Sequence, residues 1–195
     1  MKDLIAQIAR YVPESPQEEA DKQQFLAWLQ SGQDLLHREN LTAHLTASAW
    51  VVSPGRQHVL MAYHNLYDSW AWLGGHADGD ADLLQVALRE AQEESGVQEL
   101  RVLSREPVSL EILCVNGHEK RGAYVPSHLH LNVTYLLEAD FDAALQSCPE
   151  ENQAVAWIEV DEIADKSTEP WFVERIYSKL VQKTARDYPA DISGQ

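Results

Sequence analysis

The stretch Gly74-Gly75-His76-Ala77-Asp78-Gly79-Asp80-Ala81-Asp82-Leu83-Leu84-Gln85-Val86-Ala87-Leu88-Arg89-Glu90-Ala91-Gln92-Glu93-Glu94-Ser95-Gly96-Val97 decides how the chain is read. It opens on a glycine pair and a polar loop from His76 to Ala81. It then runs without a breaker from about Asp82 to Ser95, which predicts a helix. Gly96 stands where a left-handed C-cap favours glycine, and Asp82 with Gln85 has the form of a capping box. At about 100° per residue, Glu90, Glu93 and Glu94 fall within an arc of roughly 100°, so their carboxylates share one face. Like charges at that spacing repel, and the cluster costs stability unless water or a cation covers it. A solvated acidic face satisfies that requirement. So does a partly hydrated Mg²⁺ held by hard oxygen ligands.

Upstream, Ser69-Trp70-Ala71-Trp72-Leu73 predicts a short strand ended by Gly74-Gly75. From Thr42 to Val52, His44, Thr46, Ser48 and Trp50 alternate with Leu45, Ala47, Ala49 and Val51, the pattern of a strand with one polar face. The turn Ser53-Pro54-Gly55 leads to a second strand, His58 to His64, paired with the first. Helical periodicity in Leu4-Ile5-Ile8-Val12 and in Ala20-Phe25-Leu26-Trp28-Leu29 flanks Pro13-Glu14-Ser15-Pro16, which predicts a helical hairpin packed on the domain. Downstream, strands are expected over 101–108, 109–115, 128–137 and 155–160, with a loop from Asn116 to Ser127. An amphipathic helix is expected from Trp171 to Thr184, followed by a frayed tail from Asp187 to Gln195.

The chain has 195 residues, 45% of them hydrophobic and 24% charged, the balance of a globular domain. Its net charge of −16 repels polyanions at long range and argues against genomic DNA or RNA as a partner. A small phosphorylated substrate remains compatible, because bound cations reverse the local sign of an acidic pocket. Cys114 and Cys148 are in no zinc-like or disulfide spacing and are expected to be buried or partly buried thiols. The N-terminal residues carry no long apolar segment, so a cytoplasmic protein without membrane contact is expected, with homodimerisation open.

The glycine-to-helix stretch resembles the Nudix box: Gly, five residues, Glu, seven residues, then Arg-Glu-U-x-Glu-Glu-x-Gly-U, with U a bulky aliphatic residue. Gly75, Arg89, Glu90, Glu93, Glu94 and Gly96 stand at its fixed positions and Val97 at the last U. Ala81 replaces the first Glu, and Ala91 is a small U. In the family that Glu helps hold loop and helix together and supports the metal site. Here Asp80 and Asp82 flank the gap and could compensate through the helix N-terminus. The strand order and the Trp157 strand followed by Asp161-Glu162-Ile163 also look like the family, over roughly residues 42 to 185. The resemblance implies an α/β fold, an α/β/α sandwich around a mixed sheet, with the N-terminal helical hairpin outside it. Residues 1–37 are expected as that extension, 38–186 as the Nudix domain and 187–195 as a flexible tail.

By the same resemblance the protein is a hydrolase that needs Mg²⁺ or Mn²⁺ and cleaves a diphosphate linkage in a small, nucleotide-like substrate. Glu90, Glu93 and Glu94 would bind metal with the Gly75 carbonyl, Arg89 would orient the carboxylates, and Glu90 would help deprotonate the attacking water. Family members often recruit a base from a distant loop, and Glu150 and Glu151 are either that base or a solvated pair. His76 is either a phosphate contact or a surface histidine. His128 and His130, on one face of a strand, are either core histidines or donors to substrate oxygens. Lys120, Arg121 and Tyr124 are either an exposed loop or the cationic and stacking groups for a phosphate and a ring. Trp50, Trp70 and Trp72 fit the core better than a base-stacking slot. A Nudix-fold binding or regulatory protein without hydrolysis is the alternative, favoured only by Ala81. Isoprenoid diphosphate isomerisation, which uses this fold, lacks its active-site cysteine motif here.

Overall fold

Alternation along one strand sets the architecture. In the computed structural model, which describes residues 1–64, 68–120, 122–149 and 152–190, β1 (Ala43–Val52) is buried along its whole length. Leu45, Ala47, Ala49 and Val51 enter one core and Trp50 and Val52 another, so layers lie on both faces. Around β1 a mixed sheet assembles from β2 (His58–His64), β3 (Ser69–Ala71), β4 (Leu73–His76), β5 (Arg101–Val102), β6 (Ser109–Val115), β9 (His128–Glu138) and β10 (Asn152–Glu159). Its order is β10-β2-β1-β9-β5. β3 pairs with β2, β4 with β1 and β6 with β9. The β1–β9 pair is parallel and sets His44 opposite His130.

The first core is closed by α1 (Lys2–Arg10), α2 (Pro16–Gln30) and α3 (Leu83–Ser95), through Ile8, Phe25, Val86, Ala87 and Ala91 among others. The second is closed by the C-terminal helical segment: α5 (Pro170–Phe172), a wider turn at Val173–Tyr177 and α6 (Ser178–Asp187), which contribute Ile176, Tyr177 and Leu180. A short α4 (Ile163–Lys166) precedes it. The result is the expected α/β/α sandwich around a mixed sheet, carrying an N-terminal helical hairpin. No described helix is long and apolar enough to cross a membrane.

Several sequence expectations need correction. The glycine pair does not end a strand: Gly74 and Gly75 pair with Ser48 and Ala47 inside β4, which runs on to His76. The stretch 101–108 is a strand only at Arg101–Val102, and Pro107, lacking a donor, lies outside the ladder. Within the expected loop 116–127, β7 (His118–Lys120) and β8 (Ala123–Val125) form a hairpin. The C-terminal helix changes pitch at Val173–Tyr177. Cys114 is exposed, because it lies on β6, paired only to β9; Cys148 is half-buried.

Beneath α6 the polar face of β1 is sealed into a buried network. Thr46 and Ser48 donate to Asn132 Oδ1 at 3.0 and 2.9 Å, and Asn132 Nδ2 donates to Glu111 Oε2 at 3.3 Å. Lys179 Nζ on α6 donates to Glu18 Oε1 at 2.7 Å and to Glu111 Oε1 at 3.1 Å. Both carboxylates are fully buried, and Tyr11 donates to Glu18 as well. This network joins the helical hairpin, edge strand β6 and α6.

Candidate active site

The acidic helix face is held under the glycine strand by its own caps. Asp82 Oδ1 accepts the Gln85 amide at 3.3 Å, and Gly96 ends α3 at φ +75°, so the helix starts and stops as the sequence predicts. Glu90 is therefore lodged against Gly75, where any Cβ would collide with its carboxylate. Glu94, buried, accepts the Gly74 amide through Oε2 at 2.9 Å, while Glu93 is exposed. The three carboxylates grade from open to buried along one face. Arg89 Nη2 donates to Glu90 Oε1 at 2.9 Å and reaches the His76 carbonyl at 3.4 Å. The bond to Glu90 raises the Arg89 pKa, holding it cationic.

Clustered carboxylates beside a strand backbone that only glycine allows make a hard, oxygen-only donor set, which fits Mg²⁺ or Mn²⁺ rather than a soft ion. Ala81, half-buried, leaves the neighbouring acids to act alone. Asp82 is committed to the helix cap, and Asp80 Oδ1 accepts the Asp82 amide at 2.9 Å. Asp80 nonetheless helps raise the Arg89 pKa, after Glu90 and Glu93. Ala81→Glu is therefore expected to preserve or raise turnover, and Asp82→Asn, still a good cap, to leave it unchanged. Asp80→Asn should lower turnover about 2- to 5-fold, the effect of losing about 0.5–1 kcal/mol of exposed charge interaction. Equal turnover in all three variants would remove this loop from the mechanism.

On the opposite face of the sheet four histidines meet. His44, His76 and His130, from β1, β4 and β9, offer ligand atoms that all lie within 4.8 Å of one another. His128 packs beside them, with its Nε2 3.2 Å from His130 Nε2. Burial lowers the His44 pKa, and burial with the fields of His76, His44 and His128 pushes His130 down to about 2. Both are neutral imidazoles. Arg38 lies at this edge, its Nε donating to Asp78 Oδ1 at 2.8 Å.

The structure thus gathers His76, His128 and His130, and adds His44, which the sequence offered only as one of several polar residues on a strand face. Tyr124 stands 70% exposed on β8, and the hairpin begins at His118, whose ring centroid is 6.3 Å from that of His128. The Lys120 backbone pairs with Ala123; its side chain, Arg121, Glu150 and Glu151 lie outside the described residues. Trp50 is a core residue, stacked on Tyr177, and Trp70 and Trp72 pack against the same core.

A sandwich with a capped acidic helix beneath a glycine strand keeps the arrangement that the Nudix resemblance implies, and the comparisons agree. The chain matches the NUDIX domain over residues 42–180. Its fold is similar to that of a C. elegans Ap4A hydrolase in a binary complex (19% identity, 72% of this chain and 97% of that one, TM-score 0.52). It is likewise similar to the E. coli dihydroneopterin triphosphate pyrophosphohydrolase (14%, 71% and 95%, 0.53) and to the Nudix hydrolase RenU of M. smegmatis (20%, 73% and 86%, 0.52). No curated protein sequence matches. The chain belongs to the Nudix family and is a pyrophosphohydrolase acting on phosphoric anhydride bonds.

Proposed function

We propose that this chain is a divalent-metal-dependent hydrolase of a small, nucleotide-like diphosphate, acting in the cytoplasm through a catalytic domain at residues 38–186, with 1–37 as an extension and 187–195 as a tail. The observation that carries the reading is the contact of Glu90 and Glu94 with Gly75 and Gly74, with Arg89 on Glu90. Glu90, Glu93, Glu94 and the Gly75 carbonyl would hold Mg²⁺ or Mn²⁺, which when bound offsets the charge of the diphosphate and lowers the pKa of a coordinated water. Glu90 accepts the proton of the attacking water. Arg89 fixes the Glu90 carboxylate in the orientation that reaction needs. His76, His128 and His130 would contact the substrate's phosphate, and Lys120, Arg121 and Tyr124 would supply cationic and stacking groups for its phosphate and ring. Attack at phosphorus breaks one P–O–P bridge, and each product leaves with a terminal phosphate.

The names of two fold relatives point to a dinucleoside polyphosphate and a pterin triphosphate as substrates to try, beside nucleoside triphosphates and nucleotide sugars. The test is a panel of these compounds with Mg²⁺ and Mn²⁺ in ¹⁸O-labelled water, with products read by mass spectrometry. Label on a phosphate product and no turnover after chelation are expected. Label only on a carbon-bound hydroxyl would require another chemistry, and Mn²⁺ binding without turnover of any compound would make the protein a binding module.

A further inference from the structure

We propose that His44, His76 and His130 form a second metal site, separate from the carboxylates of α3, that takes a borderline-soft divalent ion such as Zn²⁺. The three imidazoles come from three strands and converge because of register. His44 faces His130 across the parallel β1–β9 pair, and His76 lies opposite Thr46, two residues along the same face of β1. An ion at 2.0–2.1 Å from each nitrogen needs nitrogen separations of about 3.3 Å. From within 4.8 Å, rotations that move each nitrogen by about 1 Å suffice.

Hydrogen bonding fixes which nitrogens are lone pairs. His44 Nδ1 lies 3.0 Å from the Asn40 carbonyl, which can only accept, so Nδ1 carries the proton and Nε2 the lone pair. That Nε2 is buried with no hydrogen-bond partner, on a residue only 3% exposed, and an orphaned acceptor there costs stability unless something binds it. His128 is tied in the same way, Nδ1 to the Pro126 carbonyl at 2.8 Å. Its Nε2 lies 3.2 Å from His130 Nε2, so a proton between the two nitrogens ties the rings together. A carbonyl on the far nitrogen of one ligand and a further imidazole on another are the supports that orient ligating histidines. Burial keeps His44 and His130 neutral, the form that binds metal.

The two sites differ in chemistry. Three imidazoles favour Zn²⁺, Co²⁺, Ni²⁺ or Cu²⁺, whereas the helix carboxylates favour Mg²⁺ or Mn²⁺. His76 follows Gly75 on β4 and, by strand alternation, projects to the opposite face, so the two sites share one strand but lie on different sides of the sheet.

The test is calorimetric titration of chelator-stripped protein with Zn²⁺ in excess Mg²⁺, with Co²⁺ absorption as a geometric readout. One Zn²⁺ per chain and tetrahedral Co²⁺ bands are expected, retained in the Glu93→Gln, Glu94→Gln double variant. His44→Gln and His130→Gln should each weaken Zn²⁺ binding by about 100-fold or more while melting cooperatively. His76→Gln, on a ligand of intermediate burial like His130, gives the same reading should either of the other variants fail to fold. Unchanged affinity in the histidine variants, no Zn²⁺ uptake in excess Mg²⁺, or loss of uptake in the glutamate double variant would overturn the site. Since the readout is binding, failure to hydrolyse any diphosphate leaves this result standing and bears only on the proposed reaction.

Discussion

Replacing Glu90 with glutamine is expected to lower turnover by about two or more orders of magnitude, a loss of about 2.7 kcal/mol or more in transition-state stabilisation. The side chain is 13% exposed, held by Arg89 Nη2 at 2.9 Å and lodged against the Gly75 backbone. Glutamine keeps the volume and an amide oxygen for Arg89, so packing survives. What disappears is the negative charge that, in the proposed reaction, would hold a cation and take the proton from water. The effect should fall on kcat, because a group needed in the transition state is lost, and the melting temperature of the metal-free variant should stay close to wild type. Parallel kinetics and thermal melts decide the matter. Turnover that survives both this substitution and chelation would place the chemistry elsewhere, and a collapsed melt would mark Glu90 as structural.

The part of this site carried by local sequence was legible. Caps at Asp82 and Gly96 define α3, helical spacing puts the glutamates on one face, and the box gives their relation to Gly75. The glycine pair reads locally as a terminator, because the same residue that breaks a strand also lets a neighbouring strand approach closely. Gly74 is in β4 for the second reason: a Cβ there would lie 2.5 Å from the Ala47 carbonyl oxygen. Nothing local marks His44 as a site residue. Its partners are 32 and 86 positions away, and they meet it only through the β1–β4 and β1–β9 registers, which alternation cannot reveal. The same limit hid the function of the polar face of β1. Its Thr46 and Ser48 are buried by an ion network whose members, Glu18, Glu111 and Lys179, come from three distant elements.

That network yields the largest stability effect expected in the molecule. Lys179→Met should cost about 3–5 kcal/mol at neutral pH, the loss typical when one partner of a buried ion cluster is removed. Lys179 is the cation that bonds both Glu18 and Glu111, and each carboxylate is fully buried. Burial works against its charge, yet attraction to Glu111 and Glu18 outweighs that and raises its pKa. Methionine fills the stem's volume but leaves two buried carboxylates facing each other. Glu111, whose pKa burial already raises even with Lys179 present, would then be pushed up further. A carboxyl whose folded pKa exceeds its unfolded value favours folding below the unfolded pKa and loses that contribution as pH rises through the folded one. The deficit of Lys179→Met should therefore be largest near pH 8 and shrink as the pH is lowered toward 5. Adding Glu111→Gln should recover a substantial part of it at pH 8, since only one buried charge then remains. Denaturant melts of the single and double variants at both pH values test the account. A deficit independent of pH, or no rescue by Glu111→Gln, would show that the lysine contributes packing rather than charge.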